Sequence, residues 1–440
     1  MVDTPIEGLQ IHSLRVHEDN RGWFKENWAG QALVPAQQNV SFNARRGATR
    51  GMHAEPWDKW VSVANGRVYA AWVDMRAGSP TFGATFGLEV GPDTAVFVPR
   101  GVANGFQALE DDTTYIYLVN QRYNPDGNYA FCSYQEIEWP LQPTELSEAD
   151  KAHPALADAT PVSPRKILVT GANGQLGRAL KQIYSETEAD FFTRAEFDLT
   201  DMPELDFSQY WAVINCAAYN DVNGAENDRA TAWAVNAAGP ARLAAICNAH
   251  DLTLVHVSSD YIFDGTKEIH DETELPSPLS AYGASKAAGD TAAQVARKHY
   301  VVRTAWVFGD GNNFMSTMAG LAARGVEPKV IMDQRGRPTY AEDLAKGIAH
   351  LLRTKAEYGV YNLTSAGDAV GRDEIAMAVF IGVGHDPSEV HPVTTAQYAE
   401  LNGPEAPRPA ESTLSLDKIK ATGFAPMHWR AALALYLAMQ

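Results

Sequence analysis

The sequence predicts an all-β domain followed by an α/β domain that holds a doubly wound parallel sheet. Residues 1–150 are rich in β-branched and aromatic side chains and carry turn residues at short intervals. From residue 165 onward, apolar strand-like runs alternate with helical segments, and a glycine turn joins the first run to the first helix. Because that turn opens an α/β fold about a third of the way along the chain, a complete domain must precede it.

Length and charge limit the class of protein. The 440 residues suffice for two or three domains, each with its own core. Lysine and arginine number 36 against 54 aspartates and glutamates, and the net charge of −18 argues against a nucleic-acid or anionic-membrane partner. No apolar run is long enough to span a bilayer. We expect a cytoplasmic protein with no membrane partner, whose thiols stay free at Cys132, Cys216 and Cys247.

Short strands separated by turns define the first domain. We predict strands at 60–63, 68–74, 85–90 and 95–99, without a long helical period. This spacing favours a sandwich or jelly roll, whose mouth can hold a ligand. His53 and a later group of tyrosines are polar candidates inside it, although each alone is more often an ordinary strand or rim residue.

Residues 151–164 contain three prolines and no amphipathic period. We predict an extended linker here, which divides the chain into domains 1–150 and 165–440. The linker is too short to form a domain and long enough to let two domains sit side by side.

The glycine turn at 171–177 has the layout of a dinucleotide-binding loop. A short apolar run, 167–169, leads into three glycines spaced three apart, and a helix start follows. The glycines allow close backbone approach, and the free N–H groups of the helix N-terminus favour a pyrophosphate. We place the cofactor against this turn and the end of the third predicted strand, at Gly171, Asn173, Gly174, Gln175, Leu176, Gly177, Ala217 and Ala218.

The segments after the turn give the motif its structural context. Strands are predicted at 189–193, 212–216, 253–257 and 301–303, and helices at 230–250 and 282–298. Such alternation indicates a Rossmann-type parallel sheet with helices on both faces. Arg194, near the end of the second strand, can accept the 2′-phosphate of NADP, and Asp198 is placed on the adenine side. We therefore expect NADPH, and NADH use remains open.

A tyrosine and a lysine four residues apart form the candidate reduction site. Tyr282 and Lys286 share one helix face, and Ser259 follows a predicted strand. A lysine ammonium is expected to lower the phenol pKa, and a strand-end hydroxyl can polarise a carbonyl. Alone, such a pair is usually a surface helix contact. Beside the glycine turn and Ser259 it indicates a catalytic set.

Seven ordered motifs identify the first domain by resemblance. They are RGWFKE (21–26), QxNxS (37–41), RGMH (50–53), VDMRAGSPTFG (73–83), VPRGVANGF (98–106), YxYLVNxxYNP (115–125) and EWPLxxTELSEAD (138–150). Together they resemble dTDP-4-dehydrorhamnose 3,5-epimerase, a cupin-fold sugar-nucleotide enzyme. The resemblance implies that His53 is the base, Asp150 fixes its tautomer, Lys59 steadies the enolate oxygen and Tyr117 returns the proton.

The same resemblance implies a set of substrate-binding residues: Arg21, Glu26, Gln37, Asn39, Arg50 and Tyr123. The chain departs from the family at three positions. Asn104 replaces a histidine, Asn128 replaces an acidic residue and Ala149 replaces a basic one. These changes spare the proposed His53–Asp150 pair. The resemblance also implies a homodimer.

The motifs of the second domain are similar to those of extended short-chain dehydrogenases/reductases, and more narrowly of dTDP-4-dehydrorhamnose reductase. They include VTGANGQLG, NCAAYNDVxxAE (215–226), VSSDYIFDG (257–265), YGASK, VVRTAWVFGxGxNF (301–314), MDQRGRPTYAEDLA (332–345) and RPAESTL (408–414). The resemblance implies that Ser259, Tyr282 and Lys286 are catalytic, with NADPH delivering hydride to C4 of the keto-sugar. Trp306 and Arg408 would hold the dTDP-sugar.

Four further positions in this domain bear on its contacts. Asn220 and Asn223 stand where the family usually has threonine and aspartate. Glu342 and Asp343 match a region where some relatives hold a metal, and we expect no metal there because a solvated acidic pair is commoner. A small substrate lobe with many loops is expected from residue 326 onward.

We interpret the chain as a bifunctional enzyme of dTDP-L-rhamnose synthesis, in which 3,5-epimerisation is followed by NADPH-dependent reduction. Three alternatives remain. The chain could act on a related deoxysugar, as Asn104 and Asn128 suggest, or its first domain could be a non-catalytic sugar-nucleotide-binding module. A cofactor-binding regulatory subunit without turnover is the third, and the intact set of Ser259, Tyr282 and Lys286 counts against it.

Overall fold

The computed structural model describes residues 4–30, 32–125 and 127–439. The chain divides into two compact units. The described residues up to 165 form the first together with 206–209, and residues 166–205 and 210–439 form the second.

Antiparallel strands build the first unit. Its described strands are β1 (Gln10–Ser13), β2 (Val16–Asp19), β3 (Gly22–Lys25), β4 (Gln37–Asn43), β5 (Thr49–Ala54), β6 (Lys59–Asn65), β7 (Val68–Asp74), β8 (Thr85–Val90), β9 (Thr94–Val98), β10 (Val102–Ala108), β11 (Thr113–Val119) and β12 (Ala130–Phe131). One sheet has the order β1-β9-β6-β11-β4, another has the order β12-β5-β10-β7-β8, and β2 pairs with β3. Helix α1 (Glu148–Lys151) follows the strands.

Apolar side chains from both five-stranded sheets form the core of this unit, including Val61, Trp72 and Val96. Because alternate residues of an antiparallel strand face opposite sides, each strand gives one face to that core. The predicted jelly roll is confirmed. Strands β7 and β8 have the predicted bounds, whereas β6 is longer than predicted and β9 begins one residue earlier.

The segment 151–164 differs from the extended linker that we expected, because it packs on the first unit. Val162 is 1% exposed and joins a core cluster with Met75. The backbone N–H of Val162 donates to the carbonyl of Met75 at 2.7 Å, and the N–H of Ala77 donates to Val162 at 2.9 Å. Leu156 and Ala159 pack against the same cluster, and the Ser133 N–H donates to the Pro154 carbonyl at 2.7 Å. These contacts have no periodic signature in the sequence.

Strands and helices alternate in the second unit. Its described strands are β13 (Lys166–Thr170), β14 (Ala189–Phe192), β15 (Tyr210–Asn215), β16 (Thr253–Ser259), β17 (His299–Thr304), β18 (Val307–Phe308), β19 (Lys329–Ile331), β20 (Arg335–Gly336), β21 (Thr339–Tyr340), β22 (Gly359–Asn362), β23 (Val370–Gly371) and β24 (His391–Val393). Its described helices are α2 (Gln175–Lys181), α3 (Gly224–Asn227), α4 (Arg229–Trp233), α5 (Gly239–His250), α6 (Ala281–Ala293), α7 (Phe314–Ala323), α8 (Ala341–Thr354), α9 (Arg372–Gly382), α10 (Thr395–Asn402), α11 (Asp417–Ala421) and α12 (Trp429–Ala438).

A parallel sheet of order β14-β13-β15-β16-β17-β22 forms the centre of this unit. On one face of the sheet, Val255 of β16 shares a core cluster with Leu344 of α8. The next residue of β16, His256, lies against α6, because a Cβ added to Gly289 of that helix would lie 3.3 Å from the His256 ring. Successive residues of a strand face opposite sides, so helices cover both faces and the predicted doubly wound sheet is confirmed. The strand order reverses at β13, and ligands bind outside the carboxyl ends of the strands at such a reversal.

Two predicted helices differ from the structure. The helix predicted over 230–250 is divided by a stretch of π-helix at Ala234–Ala238, between α4 and α5. The helix predicted over 282–298 ends at Ala293, after which backbone bonds between residues three apart lead the chain into β17. Apolar periodicity is insensitive to such local changes of hydrogen-bond pattern.

A lobe of the second unit has its own core, which contains Phe308, Met315, Val379, Phe380 and Trp429 from β18, α7, α9 and α12. This lobe begins before residue 326, the predicted start of the substrate lobe, because Phe308 and Met315 belong to its core. Helix α8 and strand β22 follow residue 326 but contribute to the core of the parallel sheet instead. None of the described helices is both long and apolar enough to cross a membrane.

Candidate active sites

A cavity of about 970 Å³ opens in the first unit. Among the predicted site residues, Arg50, His53, Lys59, Tyr117 and Asp150 line it. They come from β5, β6, β11 and α1, so antiparallel pairing brings together residues that are distant in the sequence.

His53 and Asp150 form a hydrogen-bonded pair in this cavity. His53 Nε2 lies 2.8 Å from Asp150 Oδ1, and the backbone N–H of Gly51 donates to Oδ2 at 3.3 Å. Ser147 caps helix α1 through a hydrogen bond to the backbone N–H of Asp150. Burial raises the pKa of Asp150, but the hydrogen bond and charge of His53 and the N–H of Gly51 outweigh it and hold the pKa below its usual value. The carboxylate is therefore ionised at neutral pH.

Lys59 supplies a buried cation on the same cavity wall. Its ammonium lies 2.8 Å from the Glu55 carboxylate, and both side chains are largely buried. The ammonium also lies 6.0 Å from the centroid of the Tyr117 ring. Burial and the nearby Glu55 charge raise the pKa of Tyr117, so this phenol keeps its proton at neutral pH.

The family departure at Asn104 is built into the wall of the cavity. Asn104 is a neighbour of His53 in the β10–β5 register. Its side-chain oxygen accepts a hydrogen bond from Tyr115 at 3.1 Å, and its amide donates to the Gly105 carbonyl at 3.0 Å. Both polar atoms of the asparagine side chain are therefore hydrogen-bonded to neighbouring residues. Asn128 and Ala149, the other two departures, are exposed.

Five predicted substrate-binding residues do not line this cavity: Arg21, Glu26, Gln37, Asn39 and Tyr123. Arg21 pairs with Asp19 at 2.5 Å on the β2–β3 hairpin. Gln37 accepts a hydrogen bond from the Tyr123 backbone and donates one to Asn39. Their role remains a prediction.

The glycine turn begins the cofactor site of the second unit. Gly171 has a φ of +70°, which favours glycine, and Gly174 is the N-cap of α2. A Cβ on Gly177 would lie 2.4 Å from the Gly171 carbonyl oxygen, so α2 packs directly on the turn. The free N–H groups at the start of α2, and the buried Gln175 Oε1 that lacks a partner among the described residues, fit a bound dinucleotide.

A second cavity, of about 300 Å³, joins this turn to the predicted catalytic residues. Of the predicted site residues, it is lined by Gly174, Gln175, Leu176, Gly177, Ala218, Ser259, Tyr282, Lys286 and Trp306. Asn220 lines it as well. The predicted set is thus brought together from the turn, the β15 and β16 ends, α6 and the segment after β17.

Other predicted cofactor residues lie outside this cavity, namely Gly171, Asn173, Arg194, Asp198 and Ala217. Arg194 Nε lies 3.1 Å from Asp198 Oδ2. Asp198 also accepts bonds from the backbone and hydroxyl of Thr200, which lower its pKa. Asn173 accepts a bond from Arg178, and the Ala217 N–H donates to Asn215.

Tyr282 and Lys286 lie on α6, one helical turn apart, and both are buried. The Lys286 ammonium donates to the Val257 carbonyl at 2.7 Å. Ser259 donates to Asp260 at 3.1 Å and accepts from the Tyr261 N–H. The hydroxyl, phenol and ammonium are therefore held at one end of the sheet.

Our expectation that Lys286 lowers the phenol pKa is not met, because burial dominates. Burial raises the pKa of Tyr282, and the bond to Ser259 offsets it only in part. Burial also lowers the pKa of Lys286 to about 8, although Asp290 acts in the opposite direction. Asp290 pairs with Arg303 at 3.0 Å in the interior.

Two residues that we did not predict extend the site toward the lobe. Arg372, at the start of α9, donates to the Tyr261 hydroxyl at 2.7 Å, and its guanidinium lies 5.1 Å from the Trp306 ring centroid. Tyr261 packs edge-on against Tyr282 at 6.1 Å. Tyr261 lies in the motif beside Ser259 and could have been identified, whereas Arg372 had no sequence signal.

The remaining predictions concern Arg408 and the acidic pair. Arg408 does not line the second cavity. Its guanidinium pairs with Glu405 at 2.7 Å and donates to the Asn223 side chain at 3.2 Å. Asp343 is buried and accepts the Met427 N–H at 2.8 Å. Within the described residues, the group with metal-like geometry lies elsewhere, at His53, Asp150 and His153.

Fold and sites define a two-domain enzyme that joins an acid–base isomerase domain to a reductase domain of the short-chain dehydrogenase class. The family dTDP-4-dehydrorhamnose 3,5-epimerase matches residues 3–158 and the family RmlD substrate binding domain matches residues 165–440, and the chain belongs to both. The resemblances and the enzyme class predicted from the motifs are therefore confirmed.

Individual relatives match each part. The dTDP-4-dehydrorhamnose reductase of Mycobacterium tuberculosis is 39% identical over 286 residues, covering 62% of this chain and 92% of the relative. A protein named RmlC homolog from Streptococcus pyogenes is 44% identical over 182 residues, covering 37% of this chain and 91% of the relative. The crystal structure of dTDP-4-dehydrorhamnose reductase from Bacillus anthracis in complex with NADP is 32% identical, covers 63% of this chain and all of that chain, and has a TM-score of 0.57.

Proposed function

We propose that this chain carries out two consecutive reactions on one dTDP-sugar. The first domain inverts C3 and C5 of dTDP-4-dehydro-6-deoxyglucose, and the second reduces the C4 ketone with NADPH to give dTDP-L-rhamnose. The observation that carries the proposal is the presence of two separate catalytic arrangements in one chain. His53 and Asp150 meet in the jelly-roll cavity, and Tyr282 and Lys286 line the cavity beside the glycine turn.

The first site is suited to proton transfer next to a ketone. Asp150 accepts the hydrogen bond from His53 Nε2–H, a tautomer assigned from the partner, which leaves Nδ1 as the base. Removal of a C–H proton puts negative charge on the ketone oxygen, and the buried Lys59 ammonium is the cation available to stabilise it. Tyr117 keeps its proton because burial raises its pKa, and it returns a proton on the other face.

The second site is suited to carbonyl reduction. When bound, NADPH supplies the hydride that C4 accepts. Ser259 hydrogen-bonds the ketone oxygen, and Tyr282 gives that oxygen a proton. The Lys286 ammonium stabilises the charge that this transfer leaves on the phenol. The Bacillus anthracis relative in complex with NADP supports the choice of cofactor.

Substrate contacts follow from the same geometry. Trp306 lines the second cavity and stacks with Arg372, whose guanidinium has no carboxylate within ion-pair distance among the described residues. A cation of this kind suits the diphosphate of a dTDP-sugar. In the first cavity Arg50, which donates to Asn43 at 3.1 Å, is the corresponding candidate. The contacts assigned to Arg21, Glu26, Gln37, Asn39, Tyr123 and Arg408 belong to this proposal as predictions.

A homodimer acting in the cytoplasm completes the proposal. Strand β4 lies at the end of its sheet and exposes Val40 and Phe42, and an apolar edge strand is a ready surface for a second copy. Light scattering on Val40→Glu/Phe42→Glu should show a monomer, while Phe82→Glu, at an exposed loop, should stay dimeric. The three unpaired cysteines fit a reducing compartment.

The proposal is tested with the full-length protein, dTDP-4-dehydro-6-deoxyglucose and NADPH. NADPH oxidation that yields dTDP-L-rhamnose, and is lost in both His53→Ala and Tyr282→Phe, supports two working sites. Adding a separate epimerase should restore turnover to His53→Ala but not to Tyr282→Phe. A wild-type protein that needs the added epimerase would show instead that the first domain is a binding module. A product of different C3 or C5 configuration would favour a related deoxysugar.

A further inference from the structure

A second histidine lies beside the His53–Asp150 pair and has no place in the proposed mechanism. His153 follows α1, with its ring stacked on Phe131 at a centroid distance of 4.8 Å and edge-on to His53 at 5.4 Å. Its Nδ1 is buried and has no hydrogen-bond partner among the described residues. A buried ring nitrogen without a partner requires an explanation, because the loss of its hydrogen bond to water is uncompensated.

The three side chains offer a ligand set for a transition metal. One ligand atom from each of His53, Asp150 and His153 lies within 4.8 Å of the other two. Two imidazole nitrogens and one carboxylate oxygen are typical zinc ligands, and a three-residue set leaves a fourth position for water. Nitrogen ligands disfavour Mg²⁺ and Ca²⁺, which prefer oxygen.

The geometry requires a small adjustment. His53 Nε2 and Asp150 Oδ1 are 2.8 Å apart. Two such atoms on a tetrahedral zinc, with bonds of about 2.0–2.2 Å, are separated by roughly 3.4 Å. Small side-chain rotations can open the pair by this difference. The neighbouring Lys151 ammonium is held by Glu148 at 2.6 Å, and the cavity is open to solvent at His53.

We propose that His153 completes an inhibitory Zn²⁺ site with His53 and Asp150 at the epimerase cavity. The metal takes the place of the proton that His53 and Asp150 share, and His53 takes up a proton on Nδ1 in exchange, so the ring stays a neutral imidazole and no net proton is released. One N–H bond breaks at Nε2 and one forms at Nδ1, and no electron is transferred.

The inhibitory effect rests on the proposed function of His53. An imidazole that binds a metal through Nε2 carries its proton on Nδ1, so Nδ1 has no lone pair with which to accept the substrate proton. Zinc should therefore stop C3 and C5 proton exchange in the first domain. The reductase cavity, which none of these three residues lines, should keep its activity.

The test uses full-length protein freed of metal with a chelator, and Zn²⁺ or Co²⁺ as the probe. Calorimetry gives the zinc affinity, and the visible absorption of Co²⁺ reports a tetrahedral site. His153→Phe keeps the stacking on Phe131 and removes the ligand, and His17→Phe, on the exposed β2–β3 hairpin, is the matched control. The wild type and His17→Phe should bind one Zn²⁺ tightly, with at least about tenfold weaker binding in His153→Phe.

Exchange of C3 and C5 protons with deuterated solvent gives the second measurement. Micromolar zinc should inhibit exchange by the wild type, reversibly on chelation, and should leave exchange by His153→Phe unaffected. Equal zinc affinity in the wild type and His153→Phe overturns the site. Zinc that binds through His153 without slowing exchange leaves the site standing and contradicts the role of His53 as the base. Should His153→Phe fail to fold by circular dichroism, His153→Gln replaces it.

Discussion

The imidazole Nε2 of His53 lies 2.8 Å from the carboxylate Oδ1 of Asp150, across 97 positions of the sequence. Strand β5 carries the histidine, and the four-residue helix α1 carries the aspartate. The second carboxylate oxygen is held by the Gly51 N–H, so the acid is anchored to the strand that carries its partner. The pair is therefore preorganised before any substrate arrives.

Replacing Asp150 by asparagine should impair the first reaction selectively. An amide cannot stabilise the protonated imidazole, so C3 and C5 exchange should fall by about 10²–10⁴-fold. Nuclear magnetic resonance in deuterated solvent measures the exchange. Glu148→Gln, which changes an exposed acid of the same helix, should exchange at the wild-type rate. Unchanged exchange in Asp150→Asn would contradict the assigned role.

The rate of reduction should fall as the pH rises through about 8, because burial lowers the pKa of Lys286 to about 8. Lysine is charged below its pKa, so the ammonium beside Tyr282 is present on the acid side and lost on the alkaline side. Asp290 raises this pKa, and Asp290→Asn should move the alkaline limb to lower pH. The pH profile of NADPH oxidation, with pre-epimerised substrate, measures both.

The substitution Asp290→Asn should also lower the free energy of unfolding. Asp290 pairs with Arg303 at 3.0 Å in the interior, and breaking a buried pair costs about 3–5 kcal/mol. Thermal unfolding must therefore accompany the pH profile. If Asp290→Asn folds and the alkaline limb of its pH profile stays at the wild-type pH, a group other than Lys286 determines that limb.

Arg372 should act on substrate binding rather than on chemistry. Loss of a charge-assisted hydrogen bond costs about 1.5–3 kcal/mol, so Arg372→Gln should raise the KM for the sugar nucleotide by about 10–150-fold. The KM for NADPH should stay within about twofold, because Arg372 does not line the glycine-turn cavity. Steady-state kinetics measures both KM values. Arg372→Lys, which keeps the positive charge and removes the guanidinium, shows how much of the effect is due to charge alone. An unchanged KM for the sugar would exclude the contact.

Gly177→Ala should weaken NADPH binding. The added Cβ would lie 2.4 Å from the Gly171 carbonyl oxygen, so α2 must move away from the turn. Overpacking of this kind costs about 1–3 kcal/mol of stability. Gly320→Ala is a matched control, because its nearest contact is the flexible Arg324 side chain at 3.4 Å. Fluorescence titration with NADPH and thermal unfolding should separate the two variants, and equal affinities would contradict the expectation.

The sequence predicted most of the fold because apolar periodicity and turn residues act locally. Strands β7 and β8 were predicted with their observed bounds for this reason. The π-helical stretch at Ala234–Ala238 escaped prediction, since it changes hydrogen bonds without changing the apolar pattern. The packing of Val162 depends on one side chain and two backbone bonds, which no periodic analysis detects.

The candidate sites were predictable where function depends on residues close together in a motif. Tyr282 and Lys286 lie on one helix turn, and the glycine turn is continuous in sequence. Arg372 was not predicted, because its hydrogen bond to Tyr261 joins residues 111 positions apart and Arg372 lies in the lobe. Burial also reversed the expected pKa shift of Tyr282, since the desolvation that follows from packing cannot be read from the spacing of residues.

Because one polypeptide carries both catalytic cavities, the two active sites are always made in equal numbers. Changes in expression or degradation alter both activities together and leave their ratio fixed. The steady-state amount of the epimerised keto-sugar then depends on the rate constants of the two sites and on NADPH supply, not on the relative dosage of two genes. Substitutions such as those at Asp150 or Arg372 can therefore shift the level of this intermediate in ways that changes in expression cannot.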